Sequence, residues 1–581
     1  MHTHRNSRLA VALCALLTFG TAGAATPGSA TEDNPVAQPP TVAAPAQSAA
    51  PIEQPSSTKL APAPGTPAIG SPAQKEQQAG PESHKAPAAV AAHTEDATPK
   101  EQAAIAAQVS RPGDPSGFRL MTLSTNALLS RVSLSDQAKK TIDLQYFIFH
   151  NDATGRLIAL HLLQAAERGV KVRMLIDDLN LKDETQLFSA LASNPNIQVR
   201  LFNPFHGGDP GAISKTAQLM LDFRRLNRRM HNKSFIVDNE VAVIGGRNIG
   251  DEYFDAHVDN NFRDLDVLAI GPVVPQATRT FESYWNSDAA HPLGEFKQSK
   301  DPAGDLARER AALEKDARKF DQSAYTAAAA DDLPNGASAD RPGNWYWGPA
   351  TLVADDPAKI EAGTERSDLR INPEIKNLIK NAQSEVLLIT PYFVPSAADE
   401  ENFVSDAQRG VKFEVLTNSL ASTDEIAVHE AYAGHRRALL KGGVQLYELQ
   451  PTPGVEMTAT DAGQSSGVSL HAKSFVVDER YVFVGSMNMD QRSKLLNTEM
   501  GVVVDSPQLA KAISGFFQTA TLPANAYHVV LGGADGSDAS GLHWEATKSG
   551  KPVEYSSDPD TSVGRRAKVQ VLKLLPIDGL L

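Results

Sequence analysis

Residues 231–248 read HNKSFIVDNEVAVIGGRN, and residues 471–488 read HAKSFVVDERYVFVGSMN. Both follow the pattern H-x-K-x4-D-x6-G-[GS]-x-N, and the copies stand 240 residues apart. A second match, RGVKVRMLID from residue 168 against RGVKFEVLTN from residue 409, has an offset of 241. Two independent matches at one offset identify a duplicated domain, with a period far too long for a solenoid. Within each copy, KSFIVD or KSFVVD predicts a strand, and DNEV or DERY predicts a turn into a second strand. That strand ends at Gly-Gly or Gly-Ser, a bend where backbone can come close to a ligand just before Asn248 or Asn488. His and Lys two apart on a strand share a face.

Around the motifs, strands and helices alternate. LSTNALLSRVSLSDQAKK has helical apolar spacing, TIDLQYFIF (residues 141–149) predicts a buried strand, and TGRLIALHLLQAAERG predicts a helix closed by Gly169. VKVRMLIDD is a further strand. In the second half INPEIKNLIKNAQ is helical, SEVLLITPYFVP is a strand, a helix ends at Gly410, and VKFEVLTNS is the next strand. This alternation reads as βαβ units and a mostly parallel sheet.

The 581 residues carry a formal net charge of -14, which disfavours bulk nucleic-acid binding, where many phosphates must be neutralised. Residues 1–24 have the layout of an export signal: a basic start, an apolar run from Leu9 to Phe19, and Ala22-Gly23-Ala24 as the cleavage site. Cys14, the one cysteine, lies inside that signal, so the mature chain has no disulfide or thiolate metal site. Residues 25–113 are rich in Pro, Ala, Gln, Ser and Thr and read as a disordered linker. The expected divisions are then a first domain over 114–300, a helical connector over 301–348, and a second domain with a C-terminal extension over 349–581. The connector holds the charged, helix-prone LARERAALEKDARKF and ends at NWYW (residues 344–347), whose aromatics either pack between the halves or sit at a lipid interface.

The chemistry explains why two copies are needed. A neutral imidazole can attack phosphorus, ammonium groups neutralise the phosphoryl oxygens, and an Asn amide donates to the same oxygens. A second, protonated histidine delivers a proton to the leaving oxygen. Phosphodiester exchange by double displacement therefore wants two histidines, two lysines and two donors around one phosphorus, and each copy supplies half.

On these residues the chain resembles the phospholipase D superfamily, whose signature is a paired H-x-K-x4-D motif. Over residues 116–581 it is most similar to the bacterial cardiolipin synthases, in particular the cardiolipin synthase C subgroup. FRLMTLSTNALLSRV, DLQYFIFHNDATGRL, RRLNRRMHNKSFIVDN, GGRNIGDEYFDA, FRDLDVLAIGPVV and the closing LLPIDGLL carry the likeness. The resemblance implies two similar α/β domains packed about a pseudo-two-fold axis, each with a mixed sheet flanked by helices. It implies phospholipid substrates, phosphatidylglycerol and a second phospholipid acceptor, met at a membrane surface by an exported, periplasmic protein. It implies no metal, no cofactor and no obligate protein partner.

By the same resemblance His231 is the nucleophile and His471 the general acid and then base. Lys233, Lys473, Asn248 and Asn488 hold the phosphate oxygens. A carboxylate downstream of each histidine orients it: Asp264, with Asp266 as its near competitor, and Glu499. Asp238 and Asp478 complete the catalytic motifs, with a structural part expected through salt bridges away from the phosphate. Arg224, Arg225, Arg228 and Arg229 read either as an attractor of anionic headgroups or as a solvated helical face. His150, His429, Tyr432 and His435 read as structural. The competing activities are a hydrolytic phospholipase D, an exported nuclease and a binding module with a dead site.

Overall fold

The computed structural model describes residues 114–181, 184–205, 218, 222–322, 345–454, 467–532 and 541–572. The expected export signal at 1–24, the expected linker at 25–113, residues 323–344 and the closing LLPIDGLL lie outside them.

The first half runs β1 (Ser116–Met121), α1 (Ser124–Gln137), β2 (Thr141–Tyr146), α2 (Ala153–Glu167), β3 (Lys171–Asp177), α3 (Glu184–Leu191), β4 (Ile197–Phe202) and the single turn α4 (Phe223–Leu226). The motif hairpin follows as β5 (Ser234–Val237) and β6 (Val241–Gly245), then β7 (Asn260–Arg263), β8 (Asp266–Ile270), α5 (Val273–Trp285), β9 (Ala290–Pro292) and α6 (Pro302–Asp321). The second half runs β10 (Tyr346–Gly348), β11 (Ala350–Ala354), α7 (Asn372–Lys380), β12 (Glu385–Ile389), α8 (Ala397–Gln408), β13 (Lys412–Asn418), α9 (Ile426–Lys441), β14 (Gln445–Leu449) and β15 (Gly467–Leu470). Its motif hairpin is β16 (Ser474–Val477) and β17 (Tyr481–Gly485), followed by α10 (Gln491–Leu495), β18 (Met500–Asp505), α11 (Pro507–Ala520), β19 (Ala526–Leu531), β20 (Leu542–Lys548), β21 (Lys551–Tyr555) and α12 (Val563–Leu572).

The two sheets repeat one order. The first is β10-β1-β8-β6-β5-β2-β3-β4-β9 and the second β11-β18-β17-β16-β12-β13-β14-β19-β20-β21. Within these two sheets only β2-β3-β4 and β12-β13-β14 pair in parallel. The sheets are therefore mixed, and the mostly parallel sheet suggested by the alternation is corrected. Helical crossovers make the parallel centre, while the hairpin turns force the motif strands antiparallel. Gly169 and Gly410 close α2 and α8 with φ of 97° and 96°, the left-handed conformation a helix C-terminus needs.

The motif strands are buried on both faces, which is why SFIV and SFVV are continuously apolar rather than alternating. Phe235 and Val237 point into the outer core of the first half, under α1, α2 and α3. Phe475 and Val477 point into that of the second. Ile236 and Val476 point the other way, into one shared core with α5 and α11. The two halves thus have a common interior.

The connector is integrated. Asp301 caps α6, which lies on α2 through Arg156 to Glu309 at 2.9 Å and Asp316 at 2.8 Å, with Leu313 buried beneath. The strand after it joins the first sheet, with Trp347 half exposed. Tyr346 pairs with Phe118 on β1, Trp345 lies under Arg119, and Ser506 of the second half donates to the Trp347 carbonyl at 3.1 Å.

Each motif turn is built the same way. Asp238 and Asn239 have φ of 53° and 57°, and Asp478 and Glu479 of 53° and 52°, the primed-turn geometry that suits a hairpin's twist. The Asp238 carboxylate accepts the backbone N–H groups of Lys139, Lys140 and Thr141 at 2.7–2.9 Å. Asp478 accepts those of Gln383, Ser384 and Glu385 at 2.7–3.1 Å. These amides replace the salt bridges expected of the two residues, because the loop entering β2 or β12 otherwise leaves three donors unsatisfied. Burial opposes the charge of Asp478, yet the amides hold its carboxyl below the usual range. Asp238→Ala or Asp478→Ala should each cost on the order of 1–3 kcal/mol. The contribution of Asp478 is present above its unfolded pKa and is lost as pH falls through the lower folded value. Thermal unfolding of the Asp478→Ala variant should accordingly converge with wild type in acid.

Candidate active site

The ends of the repeated strands place the histidines. At the end of β3 the Asp177 carboxylate accepts the Met230 N–H at 2.9 Å and pairs with buried Arg229 at 2.6 Å. At the end of β13, Asn418 accepts from the Leu470 N–H at 2.8 Å and donates to the Leu470 carbonyl at 2.9 Å. Each side chain grips the residue just before a histidine.

The chain of the opposite half completes the grip. β15, leading into His471, pairs in parallel with β7 of the first half. The His471 N–H donates to the Arg263 carbonyl at 2.7 Å. Reciprocally, Met230 bridges Thr498, and the His231 N–H donates to the Thr498 carbonyl at 2.9 Å. Asp264 follows Arg263 and Glu499 follows Thr498, so the carboxylates arrive crossed. His231 Nδ1 lies 2.9 Å from Glu499 Oε2, and His471 Nδ1 lies 2.6 Å from Asp264 Oδ2. Each carboxylate meets the histidine of the other half, not the one it follows in the chain. Asp266, the competitor of Asp264, is occupied elsewhere, paired with Arg131 at 2.9 Å and accepting the Arg247 N–H at 3.2 Å.

Lys233 and Lys473, each 1% exposed, donate to the carbonyls of His231 and His471. Lys473 Nζ also lies 3.0 Å from His471 Nδ1. Asn248 is held by Tyr253, its Nδ2 donating to the phenol oxygen at 2.9 Å. Asn488 is buried, and its Oδ1 has no hydrogen-bond partner among the described residues. Asp238 and Asp478 lie seven residues of extended chain from their histidines, about 23 Å. They serve the turns, the structural part expected of them.

Several residues that the sequence did not single out shape the site. Ser486 donates to Glu499 Oε2 at 2.5 Å and offers its carbonyl to His231 Nδ1 at 3.1 Å. Phe147 meets the His231 ring edge-on at 5.2 Å, and Phe262 lies against His471 at 4.9 Å. Lys359 binds Asp355, which accepts the Glu499 N–H at 2.8 Å. Ser486 stood inside the repeated motif, but the others are brought in by topology from outside it.

Three of the four arginines before His231 are held by protein partners. Arg229 is fully buried on Asp177, Arg228 donates to the Ile360 carbonyl at 3.1 Å, and Arg225 pairs with Asp222 at 2.6 Å. Arg225, Arg228 and Arg229 pin the approach to His231, and the Arg224 side chain lies outside the described residues. His150 sits between Glu184 and Glu252, His435 on Glu400, and His429 beside Arg436, with Tyr432 donating to Glu448.

Burial first, then the charges of Lys233 and Lys473, holds both imidazoles well below their usual pKa, so each is neutral in the open site. Burial also lowers Lys233 well below its usual range and Lys473 to about 8, and pushes Glu499 up to about 7. Asp264 is raised by burial against the pull of Lys473 and Arg247. The lysines are costly to keep charged without an anion. A phosphodiester between the lysines would offset their charge, restore imidazolium at one histidine and leave the other as a nucleophile.

A family model described as "Cardiolipin synthase, PLD-like domain" matches residues 132–285 and 375–520. Cardiolipin synthase C of Escherichia coli (strain K12) is 38% identical over 496 residues, covering 83% of this chain and 100% of that protein. An uncharacterized protein of Helicobacter pylori (strain J99 / ATCC 700824) is 35% identical over 458 residues, 78% of this chain and 87% of the other. Among solved structures, phosphatidylserine synthase of Haemophilus influenzae Rd KW20 has the same fold, with a TM-score of 0.52 at 13% identity over 83% of this chain and all of that one.

The buried charges should be visible as pH-dependent stability. Lys473 falls from 10.5 to about 8, so the stability linked to it is present above 10.5 and is lost as pH falls through 8. Glu499 rises from 4.5 to about 7, so its contribution is present below 4.5 and is lost as pH rises through 7. Inorganic phosphate should therefore raise Tm, more at pH 7 than at pH 10. Lys473→Met should remove both the lysine slope and most of the phosphate response, as read by calorimetry.

Proposed function

The chain belongs to the phospholipase D-like family of cardiolipin synthases, and on that premise we propose that it is a phosphatidyltransferase making cardiolipin from phosphatidylglycerol and a second phospholipid. The observation that carries this reading is the reciprocal pairing of two buried histidines with carboxylates of opposite halves.

His231 Nε2 attacks the phosphorus of phosphatidylglycerol while Glu499 holds Nδ1. The bond from phosphorus to the glycerol headgroup oxygen breaks, and His471, as imidazolium beside Asp264, gives its proton to that oxygen. Glycerol leaves and the phosphatidyl group remains on His231. His471, now neutral, takes the proton of a hydroxyl on the second phospholipid, whose oxygen attacks phosphorus and releases His231. One phosphodiester is broken and one is made, and His471 ends protonated as it began. Lys233, Lys473, Asn248 and Asn488 carry the phosphoryl charge through both steps.

Water competes for the phosphatidyl-histidine, so transfer needs an acceptor at high effective concentration. A membrane provides it, because donor and acceptor lie side by side in one surface. The export signal at residues 1–24 and the long linker support a periplasmic protein that works at such a surface. No helix among the described residues is long and apolar enough to cross a membrane. The lysines already provide the positive field that a metal supplies elsewhere, so activity should survive chelation by EDTA.

Purified protein is incubated with phosphatidylglycerol vesicles and the lipid products are resolved. Cardiolipin and glycerol are expected. Phosphatidic acid as the main product in acceptor-rich vesicles would instead indicate a hydrolase. His231→Ala and His471→Ala should each lower turnover by about 10³-fold or more, with the double variant little worse than either. Half-activity in each single variant would mean two separate sites and would sink the reading.

A further inference from the structure

Tyr253 stands where the two halves stop matching. Its counterpart at the repeat offset is Ser493. Tyr253 ends a short turn, Asp251–Tyr253, and is 3% exposed. Its phenol oxygen accepts the hydrogen bond from Asn248 Nδ2 at 2.9 Å. Its ring meets His471 edge-on, with centroids 5.2 Å apart at 79°. Phe262 packs on both, 4.9 Å from Tyr253 and 4.9 Å from His471. Across the pseudo-axis the arrangement differs. Ser493 Oγ accepts the backbone N–H of Asn488 at 3.3 Å and hydrogen-bonds Glu499, with no ring of its own to lay on a histidine, and the ring against His231 is Phe147, from the segment after β2.

We propose that Tyr253 is a positioning residue that couples the phosphate-holding amide of the first half to the histidine of the second. The proposal rests on the roles given above to Asn248 and His471. An imidazole held only through Nδ1 can still swing about that bond, and the Tyr253 and Phe262 rings remove the swing, fixing the direction of Nε2. The phenol oxygen fixes the rotation of the Asn248 amide together with the Ile148 N–H, which donates to Asn248 Oδ1 at 3.2 Å. One side chain therefore keeps the donor to a phosphoryl oxygen and the proton-transfer group in a constant relation, the kind of preorganisation that transfer chemistry depends on. Burial first, then the charge of Glu252, holds the phenol well above its usual pKa, so it stays a neutral acceptor across the working range.

The test is a double-mutant cycle on the full chain with phosphatidylglycerol vesicles. Tyr253→Phe keeps the ring and removes the hydroxyl. It is expected to lower kcat about tenfold with KM changed by less than about twofold, and to add little in an Asn248→Ala background, because the two groups act as one unit. Tyr253→Leu removes the ring as well and should also shift the limb of the pH–rate profile that belongs to His471, a shift absent from Tyr253→Phe. Wild-type kcat in Tyr253→Phe, an undiminished loss in the Asn248→Ala background, or an unmoved pH limb in a folded Tyr253→Leu would overturn the proposal. If Tyr253→Leu does not fold, the Tyr253→Phe cycle decides alone. A wild type that converts no phosphatidylglycerol overturns the functional reading and this proposal with it. An active wild type matched by Tyr253→Phe overturns this proposal only.

Discussion

The structure depends on an exchange between its halves: each lends the other a strand segment and a carboxylate. His471 takes a backbone hydrogen bond from its own N–H to Arg263 and a side-chain contact to Asp264, and His231 does the same with Thr498 and Glu499. Neither half alone presents an oriented imidazole. A solitary copy would leave its histidine without a carboxylate at Nδ1 and its buried carboxylate without the imidazole it meets, and a buried charge stripped of its partner costs several kcal/mol. The shared apolar core under β5 and β16 keeps the exchange in register, because a slip of one residue would turn Ile236 and Val476 out of it.

The cost of this arrangement is concentrated in one place. Lys233, Lys473, Asp264 and Glu499 are all buried, with the lysines pulled down and the acids pushed up. Well-packed apolar residues there would be no less stable. The surroundings are built to tolerate the charge. Asp355 and Lys359 lie behind Glu499, Arg247 donates to the Asp264 carbonyl, and Asp177 and Asn418 fix the approach to each histidine without entering the site. The site is open to an anion in the electrostatic sense before any anion arrives.

Much of this was legible in the sequence because the motif is local. H-x-K, the strand, the turn and the Gly-containing bend occupy eighteen consecutive positions, and the copy at a fixed offset removed the ambiguity of a single match. Period and length also located β2, β3, α2 and their counterparts. What was not legible depends on which chain meets which. Asp264 and Glu499 stand downstream of histidines they do not touch, since linear order says nothing of a crossing made by β7 and β15. The arginines before His231 looked like a basic face because charge runs are usually solvated. Arg229 is buried because Asp177, fifty-two residues earlier, waits for it at the end of β3. Asp238 and Asp478 suggested salt bridges, but the demand at that turn comes from backbone amides, which leave no trace in side-chain letters.

The duplication also allows something a symmetric dimer cannot have. In a two-fold pair of identical chains the two histidines have identical surroundings, and the difference between nucleophile and acid must be made by the substrate. Here the copies have diverged where they touch the carboxylates. Position 246 is Gly, and a Cβ there would fall 2.2 Å from Asp264 Oδ1. The matching Ser486 instead sends its hydroxyl to the longer Glu499. Arg247, which donates to the Asp264 carbonyl, is matched by Met487, so a fixed cation stands beside one acid and the matching residue of the other half is uncharged. Tyr253 against Ser493 adds a third difference. Each is a change of one residue, each contacts the motif or its acid, and together they make the two halves chemically unequal before substrate binds. Unequal halves suit a reaction in which one imidazole must stay unprotonated while the other gives and takes a proton.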